Sequence, residues 1–259
     1  MSSILVFDSG VGGLSVCQHI QQALPNWPIH YLADSARFPY GELESETLIQ
    51  GCVSLITKAV ARIQPSVVVV ACNSASTLAL PALRQVLDIP VVGVVPAIKP
   101  AALLSHRGVI GLLATPGTIC RSYTQALIDE FAQQTRVVRV GSSELVKLAE
   151  SKLSGQGIEL SQVATILAPL VAAKVDVVVL GCTHFPLLAD EIAQIMGAGV
   201  TLVDSGSAIA RRVCTLIDGR VVTEKPPQHC FYYTGSEPSK ELVQWLNGLG
   251  FLKIAVFAV

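Results

Sequence analysis

Short unbroken apolar runs alternate along this chain with longer amphipathic stretches. Ile4–Phe7 is a β-branched and aromatic run. It is followed by Asp8-Ser9-Gly10-Val11-Gly12-Gly13 and a helical stretch from Leu14 to about Leu24, which Pro25 closes. His30–Ala33 predicts a second strand, and Glu42–Ile63, long and amphipathic, predicts a helix. Val67–Ala71 reads as a buried strand, the next stretch as a helix that Pro81 interrupts or kinks, and Pro90–Val95 as another strand. Apolar strands without a polar face, separated by helices, are the mark of a parallel sheet covered on both sides. The pattern is that of an α/β doubly wound fold.

The same order then starts again. Gly108–Ala114 takes the place of Ile4–Phe7, and Thr115-Pro116-Gly117-Thr118 follows it as Asp8-Ser9-Gly10 follows the first run. Val177–Gly181 precedes Cys182 as Val67–Ala71 precedes Cys72, and the two cysteines are 110 residues apart. Val91–Ile98 has its echo in Leu202–Ile209, 110–111 residues later. Echoes at one consistent spacing point to a duplication. The expectation is two pseudo-symmetric doubly wound lobes with mostly parallel sheets and a cleft between them. One comprises residues 1–97 plus 208–259, the other 98–207. No Pro/Gly/Ser-rich linker separates them.

Composition agrees and narrows the classes. Hydrophobic residues make up 51% of the 259 and aromatics only 5%, so the apolar content is mostly Val, Leu, Ile and Ala. The formal net charge is -1 and no Lys/Arg cluster stands out. Nucleic-acid binding, which needs a basic stripe to neutralise phosphates, is therefore not expected. The mean hydropathy of +0.56 is high. Even so, runs such as Ser66–Cys72 and Val175–Cys182 are far shorter than the roughly 20 residues that span a bilayer. No membrane association is expected, and the N-terminus lacks the basic start and cleavage site of a signal peptide. Seven cysteines, none within four residues of another, argue against CxxC metal sites and against a disulfide framework. No HExxH, DxD or P-loop pattern occurs, so neither a metal nor a nucleotide is expected.

Two cysteines stand apart from the rest. Cys72 and Cys182 each follow a buried strand and each is followed by polar residues, Asn73-Ser74 and Thr183-His184. Ligands of open parallel sheets bind at the carboxyl ends of strands. Two thiols related by pseudo-symmetry would then enter one cleft, where one can act as base and the other as acid on opposite faces of a carbon centre. A free thiol titrates at about 8.5, so local partners must set which one is ionised. Asp8 opens the glycine-rich turn and is placed to assist a cysteine, with a helix N-cap or Asx-turn as its plainer role. The Gly10, Gly12 and Gly13 amides are candidates for an anion nest that takes a substrate carboxylate. The spacing is not GxGxxG, so a dinucleotide site is poorly supported.

Beyond these single residues, several segments resemble the signature segments of the glutamate racemase family. They are Phe7-Asp-Ser-Gly-Val-Gly-Gly-Leu-Ser15, Pro39-Tyr-Gly41, Ala71-Cys-Asn-Ser-Ala-Ser-Thr77 and Gly181-Cys-Thr-His-Phe-Pro-Leu-Leu188. Smaller matches are Val92–Ile98, Ala114-Thr-Pro-Gly-Thr118 and Val203-Asp-Ser-Gly206. The resemblance implies a bacterial cytoplasmic enzyme that interconverts L- and D-glutamate without a cofactor and so supplies D-glutamate for peptidoglycan. It implies that Cys72 takes the proton from D-glutamate and Cys182 from L-glutamate. Asp8 then supports Cys72, while His184 and Glu150, the last residue of Glu144-Leu-Val-Lys-Leu-Ala-Glu150, support Cys182. Substrate contacts are expected from Asp8, Ser9, Tyr40, Gly41, Asn73, Ser74, Thr115, Thr118, Thr183 and His184. Position 74 departs from the family, where Thr is usual; the hydroxyl survives and a methyl is lost. In some bacteria the family is activated by a peptidoglycan precursor; the residues decide neither that control nor whether the chain forms a homodimer. The rival readings are an aspartate racemase or other superfamily member, and a non-catalytic two-lobed binding protein, which would not need both cysteines.

Overall fold

The structure is a computed structural model that describes residues 2–219 and 227–258; Met1, Val259 and residues 220–226 of the expected tail lie outside it. The strands are β1 (Ile4–Asp8), β2 (Ile29–Ala33), β3 (Val67–Val70), β4 (Val91–Gly93), β5 (Val109–Ala114), β6 (Arg136–Gly141), β7 (Val177–Leu180), β8 (Thr201–Val203), β9 (His229–Tyr233) and β10 (Phe251–Val256). The helices are α1 (Leu14–Ala23), α2 (Ser45–Ile63), α3 (Asn73–Val86), α4 (Ile98–Leu104), α5 (Pro116–Cys120), α6 (Ser122–Phe131), α7 (Glu144–Leu153), α8 (Leu160–Ala172), α9 (Ala189–Met196), α10 (Gly206–Ile217) and α11 (Lys240–Gly248).

The strands form two sheets, a six-stranded one in the order β10-β9-β2-β1-β3-β4 and a four-stranded one in the order β6-β5-β7-β8. Strand for strand, β2-β1-β3-β4 is repeated by β6-β5-β7-β8, and β3 and β7 start 110 residues apart, as do β4 and β8. The sheets are parallel throughout the described residues. A parallel neighbour requires a crossover, and helices supply it.

The apolar strands bury both faces. In β1, Ile4 and Val6 join one core with Leu14 and Ile20 of α1, Val213 of α10 and Leu246 of α11. Leu5 and Phe7 join the opposite core with Leu55 of α2 and Leu83 of α3. In β7, Val178 and Leu180 pack with Leu145 of α7, Leu167 of α8 and Ile192 of α9, while Val177 and Val179 pack with Ile98 of α4 and Ile128 of α6. Side chains of successive strand residues point to opposite faces, so one unbroken apolar run serves two cores.

The chain crosses between the sheets twice. After β4 it enters the second sheet's core through α4, and after β8 it returns through α10, which packs on α1. The crossings touch where Ser205 Oγ donates to the Val95 carbonyl at 2.6 Å. Two local readings differ. Helix α2 begins at Ser45, because the Glu44 carboxylate accepts from the Glu46 and Thr47 amides and caps it; Tyr40–Glu42 forms a separate 3-10 turn. Helix α3 runs through Pro81 without a break. Pro81 is exposed, on the side where the carbonyl it leaves unpaired can be hydrated.

Leu55 is 0% exposed in the core under α2. Leu55→Ala should therefore cost about 2–5 kcal/mol of stability, read as a lower midpoint in urea denaturation with an unchanged slope.

Candidate active site

The carboxyl ends of β1, β3, β5 and β7 meet at one narrow pocket between the two sheets. Its walls carry Ser9, Tyr40, Gly41, Cys72, Asn73, Ser74, Thr115, Cys182, Thr183 and His184, all singled out from the sequence. Pro39, Ser143 and Val146 complete it; Ser143 and Val146 were not singled out. The signal that would have found them is positional: they follow β6 as the Tyr40 turn follows β2. The other three residues lie behind the walls. Asp8 and Thr118 are fully buried, and Glu150 stands behind His184; Thr118 donates no contact to the pocket but accepts a hydrogen bond from the Thr115 hydroxyl at 3.0 Å.

Cys72 and Cys182 both enter this pocket as free thiols, one from each sheet. Their surroundings differ. Cys72 stands at the N-cap of α3 without a side-chain capping hydrogen bond and lies 3.8 Å from the Ser9 hydroxyl. Burial and the nearby Asp8 carboxylate outweigh the stabilising pull of the Ala75 amide and the Ser9 hydroxyl and push its pKa up to about 12. Cys182 Sγ lies 3.8 Å from His184 Nδ1, and His184 Nε2 is 2.7 Å from Glu150 Oε1. Burial disfavours a charged imidazole, but the contacts with Cys182 and Glu150 outweigh it and hold the His184 pKa well above its ordinary value. Burial would likewise raise Glu150, yet the His184 hydrogen bond and charge keep its pKa below the ordinary value. An imidazolium at this point donates to both the carboxylate and the sulfur.

Asp8 was expected to support Cys72. Its hydrogen bonds go elsewhere: Oδ1 accepts the Gly10 amide at 3.0 Å and Oδ2 accepts the Thr183 hydroxyl at 2.9 Å. It reaches Cys72 through charge alone, and burial raises its own pKa. The glycine turn does act as a nest for carboxylates, but the chain's own. The Gly10 amide serves Asp8, and the Val11 amide donates to Glu150 Oε1 at 3.0 Å. Gly12 is required by close approach, since a Cβ there would come within 2.5 Å of His184 Nδ1. Among the described residues no group of three or more His, Cys, Asp or Glu is placed to hold a metal ion. None of the described helices is long and apolar enough to cross a membrane.

Paired thiols at the ends of duplicated parallel sheets define a class. A family model described as Asp/Glu/Hydantoin racemase matches residues 4–213. A glutamate racemase of Shewanella pealeana is 54% identical over 97% of this chain and 95% of that protein. The crystal structure of Escherichia coli glutamate racemase in complex with L-glutamate and the activator UDP-MurNAc-Ala superposes with a TM-score of 0.94 at 44% identity, covering 100% of this chain and 98% of that one. An aspartate racemase homologue from Pyrococcus horikoshii shares the fold at a TM-score of 0.52 and 18% identity, over 83% of this chain and 99% of that one. The chain belongs to the Asp/Glu/Hydantoin racemase family and, within it, to the glutamate racemases.

The buried Glu150–His184 pair has a pH signature. The folded pKa of His184 lies above its unfolded value of about 6.5. Its contribution to stability is thus full below that pH and is lost as the pH rises through the higher folded value. Glu150, whose folded pKa is depressed, contributes above its ordinary carboxylate range and loses that as the pH falls through the folded value. Glu150→Ala leaves a buried imidazole without its carboxylate and should cost about 3 kcal/mol at neutral pH. Urea denaturation across pH should show the alkaline loss in the parent and a flatter profile in the variant, and NMR titration should place the His184 pKa lower.

Proposed function

We propose that this isomerase interconverts L- and D-glutamate by two-base proton transfer between Cys72 and Cys182. The observation that carries the reading is the entry of both thiols, one from each sheet, into a single pocket lined by polar groups. In one direction Cys182, as thiolate, takes the α-proton of L-glutamate while the Cys72 thiol delivers a proton to the other face of the carbanion. The next turnover in that direction begins once each sulfur has regained its proton state by exchange with solvent. In the reverse direction Cys72 takes the proton from D-glutamate and Cys182 delivers one. His184, held by Glu150, offers its Nδ1–H to the Cys182 sulfur. The high pKa of Cys72 suits it to be the proton donor when L-glutamate arrives.

The α-proton of an amino acid is a very weak acid, so the carbanion must be stabilised by fixed dipoles in a dry site. The buried wall groups serve this. Asn73 Oδ1 is buried without a hydrogen-bond partner and is an acceptor for the α-ammonium group. The hydroxyls of Ser74, Thr115 and Thr183 and the first-turn amides of α3 and α5 are candidates for the two carboxylates. A lobe of residues 1–97 with 208–259 and a lobe of 98–207 would close over the substrate. The role in cytoplasmic peptidoglycan synthesis belongs to the same reading. So does control by a peptidoglycan precursor, supported by the activator in the E. coli structure and its 44% identity to this chain.

Circular dichroism without added cofactor should show both glutamate enantiomers racemising and aspartate reacting poorly, because the shorter side chain leaves buried polar groups unpaired. Cys72→Ser and Cys182→Ser should each lower racemisation by at least about 10³-fold. Analogues that carry chloride at C3 need only one base, since loss of the α-proton expels chloride. Cys72→Ser should keep elimination from the L-analogue and Cys182→Ser from the D-analogue. Near-normal racemisation by either variant would overturn the two-thiol reading and make Asp8, Glu150 or His184 the direct base.

A further inference from the structure

Cys72 works inside an acidic surround. The titratable groups that act on it from the packed elements are Asp8 on β1, Tyr31 on β2, Cys52 on α2 and Cys182 after β7, all of them neutral or negative when they titrate. Yet the reaction with D-glutamate requires this thiol to ionise. A thiolate at a helix N-terminus gains from the helix dipole and the Ala75 amide, but these lose to burial and Asp8. One cation reaches the helix that Cys72 heads, and neither the sequence motifs nor the pocket walls disclose it.

Arg121 stands at the junction of α5 and α6 in the second sheet's half of the molecule. Its guanidinium crosses to α3: Nη1 donates to the Ser74 carbonyl at 3.1 Å and also to the Thr77 hydroxyl, which itself donates to the Ser74 carbonyl at 3.1 Å. These groups belong to the first two turns of the helix that begins after Cys72. Beside them the Ser74 and Thr115 hydroxyls lie 3.5 Å apart, so Arg121 and Thr115 together hold α3 to the second sheet. Burial lowers the pKa of Arg121, and the charge of Cys72 works against that, so guanidinium and thiolate favour one another. A guanidinium stays protonated throughout the working range and is less strongly hydrated than an ammonium, which suits a half-buried position.

We propose that Arg121 is a positioning residue for Cys72, clamping the first two turns of α3 across the cleft and supplying the positive charge that the thiolate needs. It acts through α3 and through its field; it does not line the pocket. The two sulfurs are thereby served by different cations, Cys182 by His184 and Cys72 by Arg121. The inference rests on the two-thiol reading above, and its test is chosen to stand apart from racemisation.

Two measurements on the full chain decide it. The first is the pH profile of iodoacetamide alkylation at Cys72, read by mass spectrometry of the peptide that carries it, so that exposed Cys120 does not interfere. The second is chloride release from the 3-chloro analogues of D- and L-glutamate, which depend on Cys72 and Cys182 respectively. Arg121→Gln keeps hydrogen-bond donors and loses the charge. It should move the alkylation profile to higher pH and slow D-analogue elimination about tenfold or more, with the L-analogue within about threefold. Arg121→Lys should restore most of the alkylation profile. Should the Gln variant fail to fold, the Lys variant reads the clamp alone: an unmoved profile with D-elimination slowed more than L-elimination. An unmoved profile in Arg121→Gln, or equal losses for the two enantiomers, would overturn the proposal and leave Arg121 a structural contact. Full racemisation by Cys72→Ser would instead strike the two-thiol reading, whatever the alkylation profile shows.

Discussion

Two carboxylates stand where the sheets meet, and each is bonded across to the other sheet's half as well as within its own. Asp8, at the end of β1, accepts the Thr183 hydroxyl from the turn after β7. Glu150, on α7, accepts the Val11 amide from the turn after β1. An isolated buried carboxylate is strongly unfavourable, so these bonds hold the two strand ends against each other. Ser15 adds to them by donating to the Thr183 carbonyl at 3.0 Å. The approach is close enough that only glycine fits at position 12. Everything in the pocket depends on this contact, because it decides where Cys182-Thr183-His184 stands relative to Cys72.

The backbone repeats and the chemistry does not. Both thiols follow the same strand of the same sheet order, yet Asn73-Ser74 follows one and Thr183-His184 the other. Cys72 faces a carboxylate and is pushed up; Cys182 faces an imidazole that a carboxylate keeps charged. Under the proposed mechanism this asymmetry prepares one thiol to give a proton and the other to take one. Duplication supplies two equivalent positions, and the residues beside them make the positions unequal.

The C-terminal tail also serves the pocket, at one remove. Thr234, just after β9, donates to Asp34 Oδ1 at 2.8 Å. The other oxygen of Asp34 accepts from Arg37 at 2.6 Å and from the Tyr40 hydroxyl. Arg37 in turn donates to the Gly51 carbonyl on α2. The Pro39-Tyr40-Gly41 wall is therefore braced by helix α2, which follows it directly, and by strand β9, distant from it in sequence. By contrast, the Glu42–Lys147 pair at 3.5 Å links the two halves at the exposed surface and adds little, since water screens it.

The sequence alone determined the alternation of strand and helix, the duplication and most of the pocket wall. Those features are written in local patterns: unbroken apolar runs mark two-faced strands, and ligands gather at the ends of such strands. Cys72, Asn73, Ser74, Cys182, Thr183 and His184 were legible in this way, while Ser9, Tyr40, Gly41 and Thr115 came from the resemblance to the glutamate racemase family. Tertiary structure decided which groups those residues bond to. The glycine turn was legible as a carboxylate nest, but that Asp8 and Glu150 occupy it could not be read, because the Val11–Glu150 bond spans 139 residues. Asp8 was legible as a carboxylate at a strand end, but not its tie to Thr183, 175 residues away. Arg121 carries no local signature; its place is set by its bonds to Ser74 and Thr77, which come from the other sheet's half. Periodicity and spacing encode what each segment buries. They do not encode the partner across a cleft, which depends on the packing of elements that are far apart along the chain.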